Sequence, residues 1–577
     1  MDSAPLSRIP SAPTVVGEPA ASATGEIRGH NVTHVDIESL DPAGAQELRR
    51  TLTKTSGAVH QQEARNSFTS SNATLTGIAG GEEPFDFKKT LRTILRKREE
   101  AQIQSRRLGV VFRDLEVQGL GATNAYQPTL GSLFNYKNVI SNIQKARHPP
   151  VRNIISGFEG VVQPGEMLLV LGRPGSGCTT FLKTLANIRD EYYAINGDIH
   201  YDSLSPSDVE KHFRGDVQYC PEDDVHFPTL TVQQTLEFAA KTRTPHVRAG
   251  ETRKSYVNLK TDILTTIFGL RHTRNTPVGD AAIRGVSGGE KKRVSIAESL
   301  AARGCIGAWD NSTRGLDAST ALEYVRALRI ATDTFDVTTI VSIYQAGESL
   351  YRHFDKVCLI YDGKMAYFGP ADQARQYFID MGYEPANRQT TADFLVAVTD
   401  PNGRITRPGV LSLPRTADEF ANHFKKSSLG AANKEELESY IAKFVGKPDS
   451  ASAYIASAQA EHAKHVRKAS SYLLSVPMQV RAVMLRRVQI MNGNKLAVGL
   501  NIFSFVFQAL ILGSVFLKAP EATSAYFSRG GILFLYAPAL FTYEPMFNHS
   551  QLSAFHRSHH DGRDPCPLQP ASHRPQA

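Results

Sequence analysis

The fold of this 577-residue chain is decided by residues 167–180, MLLVLGRPGSGCTT. An apolar run of strand length leads into a glycine-rich turn, and from Thr179 onward the apolar residues are spaced as in a helix. Glycines in such a turn allow backbone N–H groups to point inward, and the N-terminus of a helix adds partial positive charge. The stretch therefore predicts a strand, a phosphate-binding loop and a helix in succession.

The spacing of this turn fits the P-loop pattern G-x-x-x-x-G-K-[ST] except at one position. Cys178 stands where the pattern has lysine, and a cysteine can neither reach nor neutralise the β- and γ-phosphates of a nucleotide. Thr179 is placed to bind Mg²⁺. The residues predicted to bind the nucleotide are Gly172, Arg173, Pro174, Gly175, Ser176, Gly177, Cys178, Thr179 and Thr180.

Composition excludes several other classes of protein. The formal net charge of +8 is dispersed along the chain. The sequence has no compact basic block with interleaved aromatic residues, so nucleic-acid binding is not expected. The five cysteines are scattered and include no C-x-x-C pair, so neither a disulfide framework nor a zinc site is expected, and a reducing compartment is indicated. A mild excess of Lys and Arg suits a membrane protein with a cytoplasmic body.

Two further motifs follow the P-loop. Residues 286–290, VSGGE, place Ser-Gly-Gly at the start of a predicted helix and so form a second potential anion site. Residues 305–311, CIGAWDN, are apolar and end in an acid, as in a Walker B strand. Asp310 is then predicted to bind Mg²⁺ through water, while Asn311 occupies the position where a glutamate would activate the attacking water.

These motifs, in this order, resemble the nucleotide-binding domain of an ABC transporter over residues 150–380. The fold class expected from the resemblance is an α/β P-loop NTPase, followed by the start of an all-α transmembrane domain. The signature loop corresponds to Val286, Ser287, Gly288, Gly289 and Glu290, and the D-loop to Gly315, Leu316 and Asp317.

The departures from the ABC pattern narrow the resemblance. Cys178 replaces the P-loop lysine, Glu222 the Q-loop glutamine, Asn311 the catalytic glutamate and Tyr344 the switch histidine. A single change of this kind is compatible with drift. Four changes at the four chemical positions of one site, beside an intact signature loop, resemble the first nucleotide-binding domain of fungal pleiotropic drug resistance transporters.

The resemblance implies a division of labour between two nucleotide-binding domains that pair head to tail. The P-loop of this chain would bind ATP and Mg²⁺ with little hydrolysis, because no catalytic set is complete within the chain. Its signature loop would complete the active site of a second nucleotide-binding domain, a partner that the chain itself does not contain. The implied function is the ATP-binding half of an ATP-driven exporter of xenobiotic or amphipathic compounds.

The membrane prediction rests on residues 496–517, which carry no charge and are long enough to cross a bilayer. Basic residues just before them place the nucleotide-binding domain in the cytoplasm. We expect a membrane protein, with the plasma membrane as its location and several spans in the complete protein. The amphipathic pattern before this segment fits a helix on the membrane surface and, about equally by pattern alone, a helix packed on the soluble domain.

The composition beyond residue 548 loses all periodicity, which is typical of a frame loss. The alternative function is therefore a truncated, non-transporting, membrane-tethered nucleotide-binding protein. The predicted domains are a disordered tail (1–84), the nucleotide-binding domain (85–395), a linker (396–475), an amphipathic connecting helix (476–494), a transmembrane helix (495–518), a partial second transmembrane helix (529–547) and an aberrant unstructured tail (548–577).

Overall fold

A computed structural model describes residues 106–120, 151–246, 252–408, 413–467 and 470–515. The tail predicted over 1–84, the partial second transmembrane helix over 529–547 and the aberrant tail over 548–577 lie outside these residues. So do the last residues of the predicted transmembrane helix.

A nine-stranded sheet forms the centre of the molecule, in the order β4-β1-β2-β9-β8-β3-β7-β6-β5. The strands β3, β5, β6, β7 and β8 run parallel to their neighbours within this group, whereas β1 pairs antiparallel with β2 and β4. The strands of the sheet are β1 (Val110–Leu120), β2 (Val151–Val162), β3 (Met167–Gly172), β4 (Ala194–His200), β5 (Val217–Cys220), β6 (Ile306–Trp309), β7 (Thr338–Ser342), β8 (Lys356–Tyr361) and β9 (Lys364–Pro370).

Strand β3, which leads into the P-loop, lies in the interior of the sheet. All six of its residues are buried, and it lies between β7 and β8 with Leu169 opposite Val341 and Val170 opposite Cys358. A strand covered on both faces is apolar at every position rather than at alternate ones. The strand predicted at the start of residues 167–180 is confirmed.

Helices cover the sheet and extend beyond it. Their bounds are α1 (Cys178–Leu185), α2 (Pro206–His212), α3 (Val232–Thr242), α4 (Arg253–Ile267), α5 (Gly288–Ala301), α6 (Ala318–Phe335), α7 (Glu348–Tyr351), α8 (Ala371–Met381), α9 (Thr391–Val398), α10 (Ala417–Lys426), α11 (Ser428–Phe444), α12 (Pro448–Ala460), α13 (Val476–Gly493) and α14 (Lys495–Val515). A short 3₁₀ helix spans Arg271–Thr273, and β10 (Tyr383–Glu384) pairs with β11 (Ile405–Thr406).

Aromatic packing seats the first helix on the sheet. Phe181 of α1 contacts Phe112 of β1 edge-on, with ring centroids 5.3 Å apart, and Phe158 of β2 at 5.1 Å. All three rings are fully buried. Edge-to-face aromatic pairs are stabilised beyond the area they bury. The helix that follows the P-loop is thus fixed against the antiparallel part of the sheet.

The structure differs from the linker expected over 396–475. Helix α10 buries Phe420 and Phe424, and α11 is held to the sheet by the buried Lys356 ammonium, which lies 2.6 Å from a Glu436 oxygen. After α12, the carboxylate of Glu461 pairs with Arg106 at 2.7 Å and Arg303 at 2.8 Å. These helices are therefore part of the nucleotide-binding unit rather than a connection leaving it.

Helix α13 contacts the domain through its charged side. The guanidinium of Arg486 lies 4.3 Å from the ring centroid of Phe227 and 4.2 Å from that of Phe238. The apolar residues Met484 and Val488 on its predicted apolar face remain exposed. The helix thus contacts the soluble domain, which is one of the two alternatives for this segment, and its apolar residues stay exposed.

Among the described residues, no single helix is both long and apolar enough to cross a membrane. Helix α13 and residues Val498–Ile511 meet that requirement together, by length and composition, but an 84° bend separates them.

Candidate nucleotide-binding site

The P-loop has the backbone shape of a phosphate cradle. Gly175 and Gly177 adopt φ angles of +85° and +107°, which residues with a side chain rarely adopt. Helix α1 begins directly at Cys178, and no side chain caps its N-terminus. The N–H groups in the first turn of a helix have no partner within the helix. Here they are available to an anion in the loop.

Two glycines are also required for space. A Cβ atom on Gly172 would lie 2.3 Å from the Ser176 hydroxyl, and one on Gly177 would lie 2.6 Å from the Cγ2 atom of Ile155. Real Cβ atoms do not come so close to their neighbours. The loop therefore packs tightly against the protein at these two glycines. Its shape fits a phosphate group.

Cys178 contributes no charge to this cradle. Its side chain is buried, with Sγ 3.4 Å from the Ser176 hydroxyl. Burial raises the pKa of this thiol to about 11, so it is protonated and neutral at physiological pH. The sulfur lies beneath the loop, 2.9 Å from where a Cβ of Gly172 would stand. The missing positive charge is not replaced at this position.

The parallel strands bring the other predicted residues to the same edge of the sheet. Asp310 follows β6, Tyr344 comes just after β7 and Glu222 just after β5, and these strands lie successively beside β3. Ligands of open α/β sheets bind at the carboxyl ends of the strands. The structure therefore gathers the four positions that depart from the ABC pattern around one site.

Asp310 is held in place from both sides. Its Oδ1 accepts a hydrogen bond from the Ser342 hydroxyl at 2.7 Å, and its Oδ2 accepts one from the Tyr219 hydroxyl at 2.8 Å. The carboxylate is buried, while Thr179 in the loop is exposed. Carboxylate and hydroxyl oxygens are hard ligands that suit Mg²⁺. These two residues can hold the ion that normally accompanies a nucleotide.

The side-chain amide of Asn311 is buried with an unpaired donor. Its φ angle is +41°, and its backbone N–H donates to the Ser342 hydroxyl at 2.8 Å. The residue is only 3% exposed, and its Nδ2 group has no hydrogen-bond partner within the described part of the chain. Buried polar groups are rarely left unpaired. An amide is not a base, so this side chain cannot accept a proton from water.

An ion pair joins the segment after β5 to the turn after β6. The guanidinium of Arg314 pairs with the carboxylate of Glu222, and Tyr344, after β7, is 40% exposed. Burial and the carboxylates of Glu222 and Asp310 raise the pKa of Tyr344, so its hydroxyl is neutral. Sequence reasoning missed Arg314. The available signal was its position, four residues after Asp310 and directly before the D-loop.

The signature loop begins helix α5 with a complete capping box. The Ser287 hydroxyl accepts a hydrogen bond from the Glu290 N–H, and the Glu290 carboxylate accepts one from the Ser287 N–H at 2.8 Å. The same carboxylate lies 2.8 Å from the Nε2 atom of His272. A Cβ added to Gly288 would meet nothing within 4 Å. This glycine faces open space.

The D-loop lies beside the signature loop. Asp317 caps helix α6, and hydrogen bonds from the side chain and N–H of Thr320 lower the pKa of its carboxyl. A Cβ on Gly289 would lie 2.8 Å from the Cγ2 atom of Thr320 and 3.6 Å from Leu316. The structure thus brings the two loops together on one surface.

A buried lysine connects the two groups of motifs. Lys292 of helix α5 donates to the backbone carbonyl of Glu222 at 2.8 Å and pairs with the Asp224 carboxylate at 3.1 Å. Its side chain is 4% exposed. The signature helix is therefore tied directly to the segment that borders the P-loop site.

Fold and motifs together define an ABC nucleotide-binding domain. Residues 155–314 match the ABC transporter family, and residues 47–133 match the ABC-transporter N-terminal family. The second match overlaps the stretch that composition predicts to be a disordered tail. Fungal proteins are similar to this chain over about three quarters of its length, as follows.

Protein SNQ2 of Saccharomyces cerevisiae is 43% identical over 458 residues, which cover 78% of this chain and 30% of that protein. ABC transporter CDR4 of Candida albicans is 43% identical over 74% of this chain and 29% of its own length. The brefeldin A resistance protein of Schizosaccharomyces pombe is 40% identical over 78% and 31%, respectively. The chain therefore spans about 30% of the length of these relatives.

Among solved structures, cbiO1 of Clostridium perfringens, part of the ABC transporter complex cbiONQ, superposes with a TM-score of 0.34 at 18% identity. The superposition covers 47% of this chain and 93% of that one.

Proposed function

We propose that this chain is the ATP-binding half of an ATP-driven membrane exporter of xenobiotic or amphipathic compounds. Its own P-loop site binds ATP with little hydrolysis, and its signature loop completes the active site of a partner nucleotide-binding domain. The observation that carries this proposal is Asn311, a buried amide with an unpaired N–H donor, at the position that requires a carboxylate base for hydrolysis.

Binding is supported by the loop itself. The glycine turn and the uncapped start of α1 offer backbone N–H groups to phosphate oxygens. Mg²⁺, when bound, would neutralise part of the phosphate charge. Thr179 and the Asp310 carboxylate would hold the ion, the latter through water, and the hydrogen bonds from Ser342 and Tyr219 orient that carboxylate in advance.

Weak hydrolysis follows from the side chains that surround the cradle. Phosphoryl transfer depends almost entirely on positioning and on electrostatic stabilisation of the transferring group. Cys178 is neutral, Asn311 cannot act as a base, and Tyr344 is a neutral phenol at the switch position. Because the loss of one stabilising group commonly costs about 100- to 1000-fold in rate, the loss of three leaves little catalysis.

The role of the signature loop in trans is supported by Gly288. Nothing in the described part of the chain approaches the site of its missing Cβ, so no intramolecular contact requires glycine there. A glycine at a helix N-terminus lets another surface approach the backbone closely. The triphosphate held on the P-loop of a paired domain is a suitable occupant of that space.

Membrane attachment and export are supported by three observations. The names of two curated relatives describe an ABC transporter and a drug resistance protein. Residues 496–517 are uncharged, and the apolar stripe of α13 is exposed. We infer a membrane location, with the nucleotide-binding domain on the cytoplasmic side because the basic residues precede the uncharged segment.

The test compares binding with hydrolysis on the purified full chain. We expect saturable binding of a fluorescent ATP analogue in Mg²⁺, displaced by ATP, together with phosphate release at background level. Asp310→Asn should weaken binding in Mg²⁺ by roughly tenfold or more, because it removes the charge that holds the ion, and should have little effect in EDTA. Hydrolysis at transporter-like rates that is abolished by Asp310→Ala would contradict the proposal.

A further inference from the structure

Arg314 is an exposed arginine in the turn between the Walker B acid and the D-loop. Its guanidinium pairs with Glu222, and 72% of its side chain is open to solvent. The turn that carries it is defined locally: its N–H donates to the Asn311 carbonyl at 3.2 Å, and Gly315 follows with a φ angle of +76°. The residue is close in the chain both to Asp310 and to the unpaired Asn311 amide.

The side chains around the site supply too little positive charge to balance their own carboxylates and a triphosphate. Asp310 and Glu222 bring two carboxylates, and the buried Cys178 thiol is neutral. A nucleotide adds several further negative charges. Mg²⁺ at Asp310 offsets part of this total, but the cation that a P-loop lysine supplies to the β- and γ-phosphates is absent.

Two other cations near the loop have partners outside the site. Arg173, within the loop, lies 3.4 Å from Asp400, which follows helix α9. Lys183 on α1 lies 2.7 Å from Glu191. Arg314 differs from both because its partner, Glu222, is itself a residue of the site.

Backbone hydrogen bonds connect the turn of Arg314 to the strand beside the P-loop. The Arg314 N–H donates to the Asn311 carbonyl at 3.2 Å, and the Asn311 N–H donates to the Ser342 hydroxyl at 2.8 Å. Ser342 ends β7, which pairs with β3, the strand that leads into the P-loop. The turn therefore lies at the carboxyl edge of the sheet that also holds the phosphate cradle.

We propose that Arg314 is a nucleotide-binding residue that contacts the γ-phosphate of ATP in the P-loop site and supplies the charge of the missing lysine. Glu222 holds the guanidinium over the site until the nucleotide arrives. An arginine has five N–H donors in a planar fork that matches phosphate, so it can contact Glu222 and a phosphate oxygen at once.

This inference rests on the proposed binding of ATP, and it is tested by nucleotide selectivity. The dissociation constants of the full chain for ATP and for ADP are measured in Mg²⁺ by displacement of a fluorescent analogue. Arg314→Ala should weaken ATP binding by about 10- to 100-fold, the usual effect of losing a charged hydrogen-bond partner. ADP binding should not change, because ADP has no γ-phosphate. Arg314→Lys should recover part of the loss.

The control is Arg107→Ala. Arg107 also forms an exposed ion pair, with Asp336 at 2.9 Å, but it lies at the opposite edge of the sheet, near the start of β7. Its removal should alter neither affinity.

Equal ATP affinities for the wild type and Arg314→Ala, with ATP still bound, would overturn the inference and leave the proposed function intact. The inference would also fail if Arg173→Ala, rather than Arg314→Ala, removed the preference for ATP over ADP. A wild-type chain that binds neither nucleotide would overturn both proposals.

Discussion

The P-loop and the signature loop are both glycine-rich turns that begin a helix, but they differ in what surrounds them. Gly172 and Gly177 of the P-loop are closed in by their own chain, whereas Gly175 is open. Helix α1 has no side-chain cap, so its first N–H groups have no partner within the helix. The signature loop has a full capping box, and Gly288 faces open space. The first loop is shaped to hold a ligand within this chain, whereas the second is a rigid surface that another chain can approach.

Chemical groups follow the same division. Around the P-loop, Cys178, Asn311 and Tyr344 leave a site that can bind but lacks a base. Around the signature loop, Ser287 and Glu290 keep the motif of the ABC family. The departures from the ABC pattern surround the P-loop site while the signature loop is intact, which supports our proposal that the two loops have separate functions.

The largest effect should come from Gly288→Ala. A methyl group there would occupy the space in which a partner's nucleotide approaches, so ATP hydrolysis by the complex with a second nucleotide-binding domain should fall about 100- to 1000-fold. The unfolding temperature of this chain should not decrease, because the methyl group meets no atom within the described residues.

The matched control is Gly347→Ala. Gly347 also stands at the start of a helix, with a φ angle of −63°, and its added Cβ would be 4.0 Å from the nearest atom. An equal loss of hydrolysis in both variants would break the contrast between the two loops.

Lys292→Met tests whether helix α5, which begins at the signature loop, is held to the segment after β5. Removing one partner of a buried charge pair leaves Asp224 uncompensated, and the free energy of unfolding should fall by about 3 kcal/mol in denaturant titrations. Lys291→Met, at the adjacent and partly exposed position, is the control and should change stability by less than about 0.5 kcal/mol. Equal stability of the two variants would show that the Lys292 contacts hold nothing together.

Cys178→Lys separates binding from hydrolysis in the P-loop site. Restoring the cation should tighten ATP binding by about tenfold, measured by displacement of a fluorescent analogue. Hydrolysis should stay at background, because Asn311 still provides no base. Cys178→Ser, which keeps the size and neutrality of the side chain, should bind ATP as the wild type does. Hydrolysis by the lysine variant would mean that the other substitutions are not limiting.

The smallest effect concerns the capping box at acidic pH. Burial raises the pKa of Glu290, but hydrogen bonds from Ser287 and His272 outweigh it and lower the pKa below its usual 4.5. A depressed carboxyl pKa gives stability that is present above about pH 4.5 and is lost as the pH falls. Because Glu290 is partly solvated, we expect a contribution of only about 0.5–1 kcal/mol.

Glu290→Gln removes this contribution, because it removes the carboxylate that titrates. Its stability, measured by denaturant titration from pH 7 down to pH 3, should approach that of the wild type at the acidic end. A constant difference between the two proteins across this range would show that Glu290 plays no part in the cap.

Local patterns determined much of this protein. The P-loop, strand β3, the Walker B acid and the four departures from the ABC pattern all follow from spacing over a few residues. A buried parallel strand is continuously apolar, and a phosphate loop requires glycine at fixed positions.

Contacts between distant parts of the chain were decided only by the tertiary structure. The polar helices after residue 413 resemble a linker in sequence, but they pack on the domain. Lys356 forms an ion pair with Glu436, and Arg106 forms one with Glu461. In the same way, Arg314 lies 92 residues from Glu222 in the chain. Charge pairs of this kind have no period along the sequence, and only the folded sheet brings their members to one place.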